Sequence, residues 1–340
     1  MTLAPSRAFF AFGIGYALVS FLIAILFRDG VVADVLGTVS GDLDVSLWYL
    51  WLAAGLVSLW AVRAETRRGT GTAGAVGTVA MVYAAILSLH VGFTMFKTTM
   101  PSIVPYYADP YLARFDAWLH GHTDPWAVIN RLFGAQTMLS LTPLYQGPWL
   151  VAAFLFPVIL IATDDDPVRV KRYLVLYCAS WIVIGNVLAL SGMSVGPIFY
   201  DRLYDSDRFA ALTRTLHFAG LDRTVMGALQ DYLWDMYAAG REGFGTGISA
   251  FASVHVSVAT VVALYCGERS VLLAFPAALF CGAILLLSIW SGYHYAVDGY
   301  FSIGVMALLW MYLRRRMETQ DPVTARAGHG VERRLRMGKD

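Results

Sequence analysis

Charge is scarce in this chain: Asp, Glu, Lys and Arg together make up 14% of its 340 residues, against roughly a quarter in a soluble domain. That excludes a water-soluble globule, and a mean hydropathy of +0.59 places the protein in a bilayer. The formal net charge is only +1, which gives nucleic acid no electrostatic footing. Cysteine is nearly absent as well. Cys178, Cys266 and Cys281 all sit in apolar runs, so neither a disulfide framework nor a thiolate metal site fits. No cleavable leader is expected, because the first apolar run, 9–27, is long enough to span and lacks a small-residue cleavage site. There is no internal repeat of the kind that builds two-half transporters.

What the chain has instead is long hydrophobic runs. A crossing helix needs about 20 apolar residues at ~1.5 Å each. Eight runs qualify, at 9–27, 45–62, 73–95, 141–162, 173–192, 250–266, 271–290 and 293–313. The fourth contains Pro143, Pro148 and Pro157, tolerable in a membrane helix when neighbours satisfy the freed carbonyls. The expected fold is an all-α polytopic bundle. It divides into an N-terminal helix pair at 1–72, a catalytic domain at 73–316 with a six-helix core, and a polar tail at 317–340 that is expected to be disordered.

Loop charge orients the array. Arg63, Arg67 and Arg68 follow the second run, Arg169, Lys171 and Arg172 the fourth, Arg269 the sixth, and Arg314, Arg315 and Arg316 the eighth. The loop after the first run instead carries Asp29, Asp34, Asp42 and Asp44 against Arg28. By the positive-inside rule both termini are cytoplasmic, as an even number of spans requires. Two long segments then fall outside. In 97–140, Tyr111, Trp118 and Trp126 suit either a helix lying at the lipid–water interface or a plain loop with aromatic anchors. The other, 193–248, is polar and ends in Gly243, Gly245 and Gly247.

Three ionisable residues stand inside apolar runs, where such groups are costly and mark function. His294 and Asp298 lie four apart in G-Y-H-Y-A-V-D-G, on one side of a helix. His255 lies six residues into the sixth run, and the span count puts all three near the outer surface. Alone, the His294–Asp298 pair suits an interhelical anchor or a proton path as well as catalysis, and the trio also resembles a metal site. As a phosphoryl-transfer centre, a neutral imidazole at His294 is a nucleophile whose other nitrogen Asp298 holds. His255 is then the general acid and base. The approach G-F-G-T-G-I-S, containing Gly247 and Ser249, leads with Ser253 into a helix N-terminus that favours an anion. His90 has a structural place in the third run.

At these residues the chain resembles the type 2 phosphatidic acid phosphatase superfamily, and within it the branch of inositol phosphorylceramide synthases of the aureobasidin-resistance type. A-F-A-S-V-H, Ala250 to His255, is similar to that branch's A-F-P-S-L-H, and H-Y-A-V-D-G-Y-F from His294 to its H-Y-x-x-D-x-x-x-G. V-G-P-I-F-Y, Val195 to Tyr200, and D-A-W-L-H-G-H-T-D-P-W, Asp116 to Trp126, resemble its upstream elements, so the likeness covers about 100–310. The resemblance implies a phosphohistidine at His294, supported by Asp298, with His255 as acid and base and no metal or other cofactor. It also implies a phospholipid donor and a lipid alcohol acceptor.

Departures are informative. The superfamily's arginine six residues before the second histidine is Ser288 here, its early lysine–arginine–proline motif is missing, and Ala252 replaces a proline. Another cation must then offset the phosphate. Arg241, Arg202 and Lys97 are candidates by side of membrane, with Tyr200 and Tyr293 as further candidates for substrate contact. The expectation is a lipid phosphotransferase acting on a ceramide or diacylglycerol-like acceptor in a bacterial inner membrane, its site on the periplasmic side. A lipid phosphate phosphatase using water, or a transporter with a His/Asp proton relay, are the alternatives.

Overall fold

The computed structural model describes residues 4–31, 48–241 and 246–318. Asp34, Asp42 and Asp44 of the acidic loop, Gly243 and Gly245 of the glycine-rich approach, and the tail from 319 lie outside the described residues. Among those described there are thirteen helices and no strand. Five of the helices carry proline in the first turn, where its missing N–H has no intrahelical partner to lose and its fixed φ suits the helix.

Six helices are long and apolar enough to cross a bilayer, and they make this an integral membrane protein: α1 (Pro5–Phe27), α3 (Thr72–Ile103), α6 (Ala135–Thr163), α7 (Pro167–Ser191), α12 (Val271–Trp290) and α13 (Ala296–Glu318). The other two expected runs are also helical. However, α2 (Trp48–Arg67) carries Arg63, Glu65 and Arg67, and α11 (Val254–Arg269) has only 16 residues, ~24 Å of rise against ~30 Å of hydrocarbon. The sixth run was expected to be helical from residue 250. Its helix starts at Val254 because Ser253 caps it, with Oγ accepting from the Val256 N–H at 3.3 Å.

The prolines of α6 do not break it. Pro143 and Pro157 cannot donate to the carbonyls of Leu139 and Ala153, and hydroxyls take those places. Thr142 Oγ1 donates to Leu139 O at 2.7 Å, and the Tyr177 hydroxyl donates to Ala153 O at 2.5 Å. α3 likewise runs through Pro101 to Ile103, so Lys97 sits in a helix and not in the outer loop expected from residue 97.

Small residues set the close helix contacts, as in membrane bundles generally. α1 packs along α3, and a Cβ at Gly13 would lie 2.8 Å from the Ala85 carbonyl, and one at Gly92 2.9 Å from Ala17 and Tyr16. The Tyr16 hydroxyl crosses to Asn186 Oδ1. α7 is π-helical over Ser180–Leu188. There Gly185 lets it press on Phe93 of α3 and Val254 of α11, where a Cβ would meet side-chain atoms at 2.6 and 2.5 Å.

One end of the bundle gathers the arginine loops. Arg68 pairs with Asp165 at 2.6 Å, Arg169 with Asp164 at 2.6 Å, Arg269 with Asp164 at 3.4 Å and Arg172 with Glu268 at 2.6 Å. The opposite end is covered by α4 (Asp109–Leu119), α5 (Pro125–Phe133), α8 (Pro197–Tyr204), α9 (Ala210–Ala219) and α10 (Val225–Ala238). α4 exposes Tyr111, Phe115, Trp118 and Leu119 and buries Asp109, Ala113 and Asp116, an interfacial helix in pattern. Trp126, expected beside them, belongs to α5 and is half-buried.

Replacing Gly92 with Val is expected to pry α1 from α3 and destabilise the protein by about 1–3 kcal/mol, the usual range for overpacking. Thermal unfolding of the detergent-solubilised protein measures this; a variant that melts with the wild type would show that the contact is slack.

Candidate active site

Each predicted acid or base is placed by the loop that precedes its helix. α13 begins at Ala296, so His294 stands outside it and is not in its first turn as the sequence led us to expect. His294 and Asp298 are both buried, and the His255 and His294 ring centroids lie 6.1 Å apart. His294 Nδ1 is 2.7 Å from the Ala250 carbonyl oxygen but 3.5 Å from Asp298 Oδ2. Asp298, the expected partner of the His294 N–H, is within ion-pair distance of it, and the Ala250 carbonyl is the nearer acceptor. A carbonyl can only accept. Nδ1 therefore carries the hydrogen, and in the neutral ring the Nε2 lone pair is free.

Asp298 has a second task. As the third residue of α13 it accepts from the Tyr295 N–H at 2.9 Å, the back-reaching half of a capping box. The other half comes from a different helix: Asp116 of α4 accepts from the Ala296 and Val297 N–H groups, each at 3.1 Å. Asp298 Oδ1 has no hydrogen-bond partner among the described residues.

His255 lies in the first turn of α11, half-buried, and stacks on Tyr145 at 4.4 Å and Trp149 at 3.9 Å. The Trp149 indole N–H donates to the His255 backbone carbonyl at 3.0 Å. Tyr145 and Trp149 are one turn apart on α6, so that helix holds both the ring and the backbone. The Lys97 ammonium lies within electrostatic reach of the His255 ring and faces Phe93, 5.9 Å from its centroid. No carboxylate pairs with Lys97 among the described residues. Gly247, with φ +89°, lies against it: a Cβ there would be 3.4 Å from Lys97 Cγ.

The loop 193–196 joins these parts. Asp109 accepts from the Val195 and Gly196 N–H groups, both at 2.9 Å, and from the Tyr295 hydroxyl at 3.0 Å. Ser194 accepts twice, its carbonyl from Ala250 N–H and its Oγ from Phe251 N–H, both at 2.9 Å. Gly196, at φ +86°, is confined because a Cβ would stand 2.5 Å from the Tyr293 carbonyl. Asp109, Asp116 as a cap and Ser194 were not foreseen. The signal was there for the first two: acids seven residues apart in D-P-Y-L-A-R-F-D fall on one helix face, a costly place for a carboxylate without partners.

The remaining candidates are dispersed. Ser253 is consumed as the cap of α11, and Ser249 Oγ donates to Phe251 O at 3.4 Å. The Tyr293 hydroxyl donates to Met226 O at 3.2 Å, its ring parallel to Tyr145 at 6.0 Å. Tyr200 packs on Tyr204 and Phe209. Arg202 is exposed and pairs with Asp231 at 3.3 Å, and Arg241 is exposed beyond α10. His90 is buried, stacked on Phe154, with Nδ1 donating to Ile86 O at 2.7 Å. His294 and Tyr295 line a small pocket with Ala113, Asp116, Trp126 and Pro197. Among the described residues no three His, Cys, Asp or Glu side chains group to hold a metal ion.

No protein-family model, no curated protein and no solved structure matches the chain.

Burial pushes the Asp109 carboxyl above its ordinary range, against the lowering effect of its N–H and hydroxyl donors, and does the same to Asp116. With folded values raised, the fold favours the protonated acids. Their contribution is fullest below the unfolded value of about 3.9 and is lost as pH rises through the folded values. The apparent melting temperature is expected to fall as pH rises from about 4, and Asp109→Asn to flatten that fall. Thermal scans across pH check this; an unchanged slope in the variant would remove Asp109 as a cause.

Proposed function

We propose that the protein is a membrane phosphotransferase that carries a phosphorylated head group from a phospholipid donor to a lipid alcohol through a covalent adduct on His294. The observation that carries this reading is the His294 ring itself, its Nδ1 hydrogen given to the Ala250 carbonyl, with a second imidazole 6.1 Å away. His294 Nε2 attacks phosphorus and the bond to the glycerol oxygen breaks. Protonated His255 gives its hydrogen to that oxygen. The acceptor hydroxyl then attacks phosphorus while His255 takes its hydrogen, and the N–P bond breaks. Asp298, 3.5 Å from His294, offsets the positive charge that builds on the ring.

Lys97 supplies the cation that the phosphate needs, being close to His255 and without a carboxylate partner among the described residues. Arg202 serves its own pair with Asp231. The acceptor is a ceramide or diacylglycerol-like alcohol. With the arginine-rich end cytoplasmic by the positive-inside rule, the site faces the periplasm of a bacterial inner membrane. The aromatic face of α4 lies at the outer leaflet, where both lipids reside.

The test uses purified protein in mixed micelles with a labelled glycerophospholipid, with and without acceptor, and products read by mass spectrometry. A phosphorylated lipid formed only with acceptor, and lost in His294→Ala, is expected. Lys97→Gln is expected to lower kcat/KM for the donor about ten- to a hundredfold, the worth of a charge-assisted hydrogen bond. Free phosphate released irrespective of acceptor makes water the acceptor and the protein a phosphatase. No product, with the variant indistinguishable, overturns the enzymatic reading in favour of transport.

A further inference from the structure

The Ala250 carbonyl that receives the His294 hydrogen belongs to a peptide unit whose other edge is also held. In a trans peptide the C=O and the following N–H point in opposite directions. The N–H of this unit belongs to Phe251 and donates to Ser194 Oγ at 2.9 Å, while its C=O accepts from His294 Nδ1 at 2.7 Å. Ser194 Oγ, one peptide and one imidazole thus form a continuous hydrogen-bond chain, and each link polarises the next, by ~10–30% per bond.

Ser194 is itself immobilised. It is fully buried, and its carbonyl accepts from Ala250 N–H at 2.9 Å. On one side, Met193 O accepts from the Tyr107 and Ala108 N–H groups at 3.1 and 3.0 Å. On the other, the Val195 and Gly196 N–H groups are fixed by Asp109. Four consecutive residues are therefore pinned, and the only side-chain oxygen among them meets the peptide that faces His294.

We propose that Ser194 is a positioning residue that selects the His294 tautomer, a proposal that rests on His294 being the nucleophile. Held by Ser194, the peptide offers His294 Nδ1 an acceptor and no donor, so the ring keeps its hydrogen there and its lone pair at Nε2. Without the hydroxyl the Phe251 N–H is unpartnered in a buried site and the peptide plane is free to tilt. The Nε2–H tautomer then becomes accessible, and its lone pair points at the backbone instead of at phosphorus. The serine touches neither substrate nor reacting atom. Its effect falls on the fraction of rings able to attack, hence on turnover and not on donor binding.

The experiment is nitrogen-15 NMR of the full chain in bilayers with labelled histidine, in which protonated and bare ring nitrogens resolve, His294 being assigned by its loss in His294→Gln. The wild type is expected to show Nδ1 protonated and Nε2 bare. In Ser194→Ala a mixture is expected, together with a roughly ten- to hundredfold loss in kcat, the scale of a misplaced reacting group, at unchanged donor KM. Ser194→Thr, which keeps the oxygen, is expected to restore both. An Nε2–H ring in the wild type overturns the proposal whether or not any variant folds, and so does a wild-type tautomer in Ser194→Ala. Because the spectra need no activity, a protein with the expected tautomer but no transfer counts against the phosphotransferase reading alone. Transfer by an Nε2–H ring counts against Ser194 alone.

Discussion

Irregular backbone buried in a membrane helix bundle must find its hydrogen-bond partners within the protein, and that constraint shapes the end of this molecule opposite the arginine loops. Three non-helical stretches meet there, around 192–196, 246–253 and 291–295, two of them lengthened because the helices that follow, α11 and α13, start late. Some of their N–H groups bond back to the helix before, as those of Gly192, Ser291 and Gly292 do, and the others need partners from elsewhere in the fold. Two carboxylates on one face of α4 take four N–H groups at this end, Asp109 those of Val195 and Gly196 and Asp116 those of Ala296 and Val297 at the start of α13. The amphipathic helix that looks from outside like a membrane anchor is, on its inner face, the fastening of the site.

This explains which parts of the protein were legible in the sequence. Long apolar runs announce themselves because burying a membrane helix is a local affair of about twenty residues, and the two histidines stood out because ionisable groups are rare inside such runs. Asp109 and Asp116 carry no such mark, for the opposite reason. Their partners lie 86 and 87, and 180 and 181, residues away. Nothing in the local pattern says which distant N–H groups a carboxylate will meet.

The misplaced boundaries have a common cause. Hydropathy marks where a chain is apolar, whereas a helix begins where its first N–H groups are satisfied. Ser253 could have been recognised as a cap, but the apolar residues before it, Ile248, Ala250 and Phe251, masked it. At α13 the cap arrives from another helix, which no reading of the local sequence reveals. A lysine and a proline after an apolar run read as the start of a loop at Lys97; in the folded chain α3 continues through both, and the amine is carried toward His255.

The lone oxygen of Asp298 has an energetic meaning of its own. Leaving a buried acceptor unsatisfied costs on the order of 1–3 kcal/mol, and Oδ1 is such an acceptor among the described residues. The folded chain bears that cost. In the proposed reaction no new donor reaches Oδ1, because the Nδ1 hydrogen stays in its bond to the Ala250 carbonyl; what changes is the charge of the ring that Oδ2 faces at 3.5 Å. In that reading a carboxylate kept short of donors holds its charge for the ring, and ease of folding is given up for electrostatic readiness.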